Sequence, residues 1–182
     1  MSEIDRRLFD RLYGSLATDF EQFLETETEI LARLTESPIE YLLGGAIQIQ
    51  NILFWRLARM EPTPLMSQSD LAKWPDPDTD FIIPQFEIEG IGRVDFLITR
   101  TAFQRHRVAI ECDGHDFHER TKEQARRDRE RDRLLQERGI HILRFTGSEI
   151  YKSPSACAQK VWNFFSAIDE RAIDQYLGRT SK

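Results

Sequence analysis

Apolar side chains recur at steps of three and four along the first part of the chain: Ile4, Leu8, Leu12, Leu16, Phe20, Phe23, Leu24, Leu31 and Leu34. That spacing predicts one long amphipathic helix with a single apolar stripe, open to a bend at Gly14. "TESPIE" then closes it and starts another, with Ser37 as N-cap, Pro38 at the first helical position and Glu40 completing a capping box. The helix expected over residues 38–59 is apolar around most of its circumference, which marks it as buried. Gly44 and Gly45 inside it cost propensity but permit close packing. The stretch 60–80 is rich in proline and reads as a loop with at most one helical turn near Leu71.

The period then changes from helical to alternating. "FIIPQFEIEG", "IGRVDFLITR" and "RVAIECDG" are strand patterns, with Gly90 and Gly92 marking a hairpin between the first two. Residues 118–138 form a highly charged helix stopped by Gly139, "IHILRF" is a short apolar strand, and Pro154 to Leu177 is amphipathic, with Val161, Trp162, Phe165, Ile168, Ile173 and Leu177 facing inward. Helices alternating with strands in this order predict an α/β layout around a mixed sheet.

Composition adds bounds to this picture. With 182 residues, 40% hydrophobic and 31% charged, the chain has the make-up of a folded globular protein rather than a disordered one. No apolar run reaches membrane-spanning length, and the charged start does not resemble a signal peptide, so no membrane partner and a cytoplasmic location are expected. The cysteines, Cys112 and Cys157, lack the spacing of a metal knuckle and are expected to be free thiols. The net charge of −6 disfavours nucleic acid only until it is located. Residues 1–40 hold ten acids and four bases, so the rest of the chain is neutral overall and nucleic-acid contact stays open there.

The chemistry gathers at the strand ends. In "VAIECDGHDFHER", Glu111 and Asp113 share one strand face about 6–7 Å apart. In "GRVDFLI", Val94, Phe96 and Ile98 are expected on one face and Arg93 with Asp95 on the other. Pairing the two strands brings Asp95 toward Glu111 and Asp113. Three grouped carboxylates need a counter-charge, which a hard cation such as Mg2+ supplies, with Mn2+ able to stand in. Solvated strand ends are the plainer alternative, and the apolar flanks of both strands weigh against it. Cys112, His115 and His118 suggest zinc by spacing, but no fourth ligand of suitable spacing follows and Cys112 points to the opposite face.

"SPIE", "GRVDFLI", "AIECDGHDFHERTKEQARRDRERD" and "GIHILRFTGSEI", in that order over residues 37–151, resemble the PD-(D/E)xK nuclease superfamily, in particular small proteins related to very-short-patch-repair endonucleases. The resemblance implies a restriction-endonuclease-like core (helix, three antiparallel strands, helix, strand), here with an N-terminal helical extension and a C-terminal helix. It divides the chain into an acidic helix, 1–36, and a nuclease domain, 37–182. It implies metal-dependent hydrolysis of nucleic-acid phosphodiesters, with DNA the favoured substrate. Asp95 and Glu111 match the metal-binding carboxylates and Glu40 the acidic residue of the first core helix.

Asp113 stands where the superfamily has a lysine. As a third carboxylate it is a candidate metal ligand, and Lys122, Gln124 or Arg93 could supply the missing charge or orient water. His118 has the intrinsic pKa of a general base near neutrality. It and His115 are equally suited to decorating a turn. On the charged helix, Gln124, Asp128 and Asp132 share a stripe, and the aspartates need a cation, for which Arg144 is placed. Arg127 and Arg131 on the adjoining stripe are candidates for phosphate contact, as is Arg93. Two function classes follow: a Mg2+-dependent endonuclease, or a catalytically weakened nucleic-acid-binding or partner-binding module on the same fold. The apolar stripe of residues 1–35 must be covered by the core or by another copy of the chain, which makes a homo-oligomer one expectation.

Overall fold

The computed structural model describes residues 28–57, 62–73, 80–101, 105–113 and 122–179, with the helical positions 6, 11, 14, 18, 21, 22, 25 and 26 before them. Helix α1, Pro38–Leu57, is followed by the single turn α2, Gln68–Leu71. Strands β1 (Phe81–Ile88), β2 (Gly92–Thr101) and β3 (Arg105–Asp113) come next. Helix α3 (Lys122–Glu137), strand β4 (Ile140–Thr146), the short helix α4 (Gly147–Lys152) and helix α5 (Pro154–Tyr176) complete the order.

The sheet runs β1-β2-β3-β4, antiparallel except for the parallel pair β3–β4 that α3 connects. This is the mixed α/β arrangement, a four-stranded sheet flanked by helices, consistent with a restriction-endonuclease-like fold. The β1–β2 turn uses Gly90 at φ +73° and Gly92 at φ +108°, conformations that glycine enters without a Cβ penalty. Among the described residues no helix is long and apolar enough to cross a membrane.

Each sheet face has its own core. On one, Phe96, Ile98, Val108, Ile110 and Phe145 pack against Leu43 and Ile47 of α1, Ile150 of α4 and Val161 and Phe165 of α5. On the other, Leu97, Ala109 and Ile140 meet Leu135 of α3 and Met66. Leu31 is wholly buried in the first core, while the stripe positions before it lie outside the described residues. Gly44 makes that junction possible. A Cβ there would stand 2.9 Å from the Phe96 ring and 3.0 Å from Leu31.

The structure corrects the strand pattern at one place. Val94 packs in the α3-side core, not with Phe96 and Ile98. The β1–β2 ladder pairs Pro84 with Phe96 and Phe86 with Val94, and omits the pair between them, Gln85 and Asp95. Gln85 is in the left-handed region, φ +52°, the only such non-glycine among the described residues. The kink resets the alternation, which a strict period of two cannot represent. Pro84, lacking an N–H, is tolerated because β1 is an edge strand. Two smaller differences concern the C-terminal part. The turn after β4 is a helix, α4, whose signature is the reciprocal Thr146–Glu149 capping box. Leu177, expected inside, caps α5 and is 50% exposed.

Candidate functional site

Four carboxylates converge where the kinked ends of β1 and β2 meet the end of β3 and the start of α1. Asp95 and Glu111 lie at the edge of the β2–β3 ladder, which begins with Phe96 opposite Ile110. The Asp95 carboxylate accepts the Cys112 backbone N–H at 2.6 Å, which fixes it across the strand pair. Burial pushes the Asp95 carboxyl above the ordinary carboxylate range, and the charges of Glu40 and Asp113 push the same way, against that hydrogen bond and Arg131. Burial also raises Glu111, with Asp95 adding to the shift and Arg131 opposing it. Two adjacent acids pushed upward by burial and by neighbouring carboxylates mark a candidate functional site.

Glu40 is 8% exposed, in the first turn of α1. Its carboxylate accepts from the Glu36 N–H at 2.9 Å, the Ser37 hydroxyl at 2.7 Å and the Gln85 amide at 2.7 Å. It thus closes the helix start, with the Ser37 hydroxyl accepting the Glu40 N–H at 3.3 Å, and its charge also acts on Asp95.

The cations take unexpected places. Arg131, expected at a phosphate, lies 2.6 Å from Glu111 and also donates to the Arg93 backbone carbonyl. Arg131 itself turns toward the sheet end and is only 23% exposed beside Glu111, whereas Arg127, one turn earlier on the same stripe, stays exposed. Arg144 is opposite Glu111 in the β3–β4 register, pairs with Asp132 at 2.5 Å and stands 3.8 Å from Asp113. The expected link between Asp132 and Arg144 is therefore present, and it reaches Asp113 as well. Arg93 makes a two-pronged pair with Glu36 at 2.6 and 2.7 Å, while Arg127 is exposed on α3. Gln124 is exposed two turns before Arg131. His115, His118 and the Lys122 side chain lie outside the described residues.

One residue of the cluster, Gln85, escaped the sequence reading, and another, Arg131, was singled out there only for phosphate contact. Gln85 was visible only as a polar residue after a proline in an otherwise apolar strand. Arg131 was one arginine among several at helical spacing, with nothing to tell which one faces inward.

The donor chemistry suits a hard divalent cation. Glu40, Asp95, Glu111, Asp113 and Asp132 outnumber Arg131 and Arg144, leaving the cluster acidic. Among the described residues no three His, Cys, Asp or Glu side chains enclose an ion position. Mg2+ is commonly held by one or two carboxylates and completed by water and substrate oxygens, so Asp95 and Glu111 are a fitting pair. Cys112 does not join them. It packs against the α1-side core beside Asp95, and burial with the nearby carboxylates holds its thiol protonated. Cys157 is also free.

Comparison with known proteins agrees with this architecture. No curated protein and no solved structure matches the chain. Residues 79–165, which carry β1 through the first half of α5 and with them Asp95, Glu111, Asp113, Arg131 and Arg144, match the family model REase_MTES_1575, a restriction-endonuclease-like family.

Proposed function

We propose that the protein is a Mg2+-dependent endonuclease that hydrolyses phosphodiester bonds in nucleic acid, with DNA as the favoured substrate. The observation that carries this reading is the pair Asp95 and Glu111, two largely buried carboxylates, with the charge of Asp95 raising Glu111, within the segment that matches a restriction-endonuclease-like family. Asp95 and Glu111 would hold the ion. When bound, it supplies Lewis-acid polarisation of the phosphoryl group and lowers the pKa of water.

The chain's own residues supply the rest. The Cys112 N–H holds Asp95 in one orientation. Arg131 neutralises Glu111 before an ion arrives and, once released, can offset phosphate charge. Arg144 supplies the positive charge that the superfamily's lysine would bring, and Asp113 with Asp132 holds it in place. We assign Asp113 this anchoring role in preference to direct ligation. Glu40, on the opposite side of Asp95, orders the helix start beside the recess. Arg127 is exposed and available to the nucleic-acid backbone, and Arg93, also exposed, would have to exchange its pair with Glu36 for a phosphate. His118 is the proposed proton acceptor, with Lys122 and Gln124 as further polar groups near the start of α3.

The second reading, a binding module with a weakened site, is favoured by one observation: Arg131 takes the counter-charge role at Glu111. Incubating the protein with supercoiled plasmid and with single-stranded DNA, each in Mg2+, Mn2+ or EDTA, separates the two. Metal-dependent nicking or cleavage supports the nuclease. DNA binding by gel shift with no cleavage in either metal supports the module.

A further inference from the structure

The kink at Gln85 has a cost and a chemical consequence. A glutamine in the left-handed region is unfavourable relative to the β conformation of its neighbours. The ladder gives up the Gln85–Asp95 pairing at the same point. In return the side chain reaches α1, where its amide nitrogen donates to Glu40 at 2.7 Å. An ionised carboxylate only accepts, so this contact fixes which end of the amide is nitrogen. The other end is therefore an oxygen. That Oε1 is buried and has no hydrogen-bond partner.

A buried acceptor without a donor is costly, and native proteins leave few of them. Its residue is bonded to Glu40 and falls opposite Asp95 where the ladder is broken, among carboxylates that outnumber the nearby arginines. A water or a cation can satisfy an amide oxygen, and amid that excess of carboxylates a cation or its bound water is the favoured one. We infer that Gln85 is a residue of the candidate metal site: its nitrogen positions Glu40, and its oxygen is a neutral hard donor to the divalent ion or to that ion's bound water. This deepens the nuclease reading and rests on it.

The test uses Gln85→Gly, which removes the side chain while accepting φ +52° without a Cβ penalty, so the fold is retained. Mn2+ binding to the full chain is measured by calorimetry and by the Mn2+ paramagnetic resonance signal, alongside circular dichroism. The expected result is a folded variant whose Mn2+ affinity is weaker by roughly 10-fold or more, the range typical of lost outer-shell partners. Gln85→Asn, which also tolerates the left-handed region, should weaken binding too, because its amide is one methylene too short to reach Glu40. Wild-type affinity in a folded Gln85→Gly variant would overturn the assignment of Gln85 and leave the carboxylate site standing. A wild-type protein that binds no Mn2+ would overturn both readings together.

Discussion

Arg131 on α3 and Glu111 on β3 form an ion pair of 2.6 Å at the edge of the acidic recess, with only 23% and 14% of their side chains exposed. Removing the arginine leaves Glu111 half-buried and without its main counter-charge. Arg131→Ala should lower the stability of the metal-free protein by about 1–3 kcal/mol, read by urea or thermal unfolding. The same change removes the cation that competes for Glu111, so Mn2+ should bind more tightly and raise the variant's Tm more than that of wild type. A variant whose Mn2+ affinity fell would mean that Arg131 assembles the site instead of guarding it.

Asp113 stands where the nuclease pattern that the sequence resembles has a lysine, and Arg144 is 3.8 Å from it. Lysine at 113 would face Arg144 rather than an open recess. Asp113→Lys should therefore lower the Tm and give no gain in cleavage. Asp113→Asn keeps the shape and loses part of Arg144's anchoring, a milder change. A stable Asp113→Lys protein with higher activity than wild type would show a decayed site rebuilt by its usual residue.

Stability should depend on pH through Asp95 and Glu111. Both carboxyls have folded pKa values above their ordinary ones. Below the ordinary carboxylate range, about pH 4, both folded and unfolded chains are protonated there and the groups contribute nothing. As pH rises from that range through the raised values, the unfolded chain loses its protons first, so stability falls and stays lower above. In EDTA the Asp95→Asn/Glu111→Gln protein should lose less stability than wild type between pH 4 and neutrality. Asp80, also raised by burial, is common to both proteins and cancels in the comparison. Parallel Tm-against-pH curves for the two would contradict the raised values.

Gly44 tests the packing that places α1, and with it Glu40, over the sheet. The Phe96 ring is only 2.9 Å from a Cβ built there. Gly44→Ala should cost about 1–3 kcal/mol despite alanine's better helix propensity, because both Phe96 and Leu31 are fully buried and have little room to yield. Gly45→Ala, where the nearest neighbour is Thr28 at 3.8 Å, should instead be neutral or stabilising.

The parts of the fold that were legible in the sequence are those with a clean period. α1, the three antiparallel strands, β4 and α5 follow directly from apolar spacing, and the hairpin from Gly90 and Gly92. What was not legible depends on contacts between distant segments. The kink at Gln85 is a tertiary feature, held by a bond to Glu40 that is 45 residues away in sequence. The choice of Arg131 over Arg127 as the inward arginine depends on how α3 is rotated against β4, which its all-round charge leaves undetermined. The grouping of Asp95 with Glu111 was legible because antiparallel pairing of adjacent strands leaves few registers. The pairing of Asp113 with Arg144 was half legible: Arg144 was matched to Asp132, but β4's parallel register beside β3 also brings it to Asp113.

The central claim is that Asp95 and Glu111 hold a divalent ion that drives phosphodiester hydrolysis, and the most direct measurement is plasmid nicking by wild type, Asp95→Asn and Glu111→Gln at matched concentrations in Mg2+, Mn2+ and EDTA, with each protein's Tm recorded alongside. The account predicts nicking by wild type in metal alone, a loss of at least about 100-fold in both variants, as expected for removal of a ligand from a metal-assisted reaction, and variant Tm values in EDTA equal to or above wild type. Wild-type rates in both folded variants, or nicking undiminished by EDTA, would contradict it.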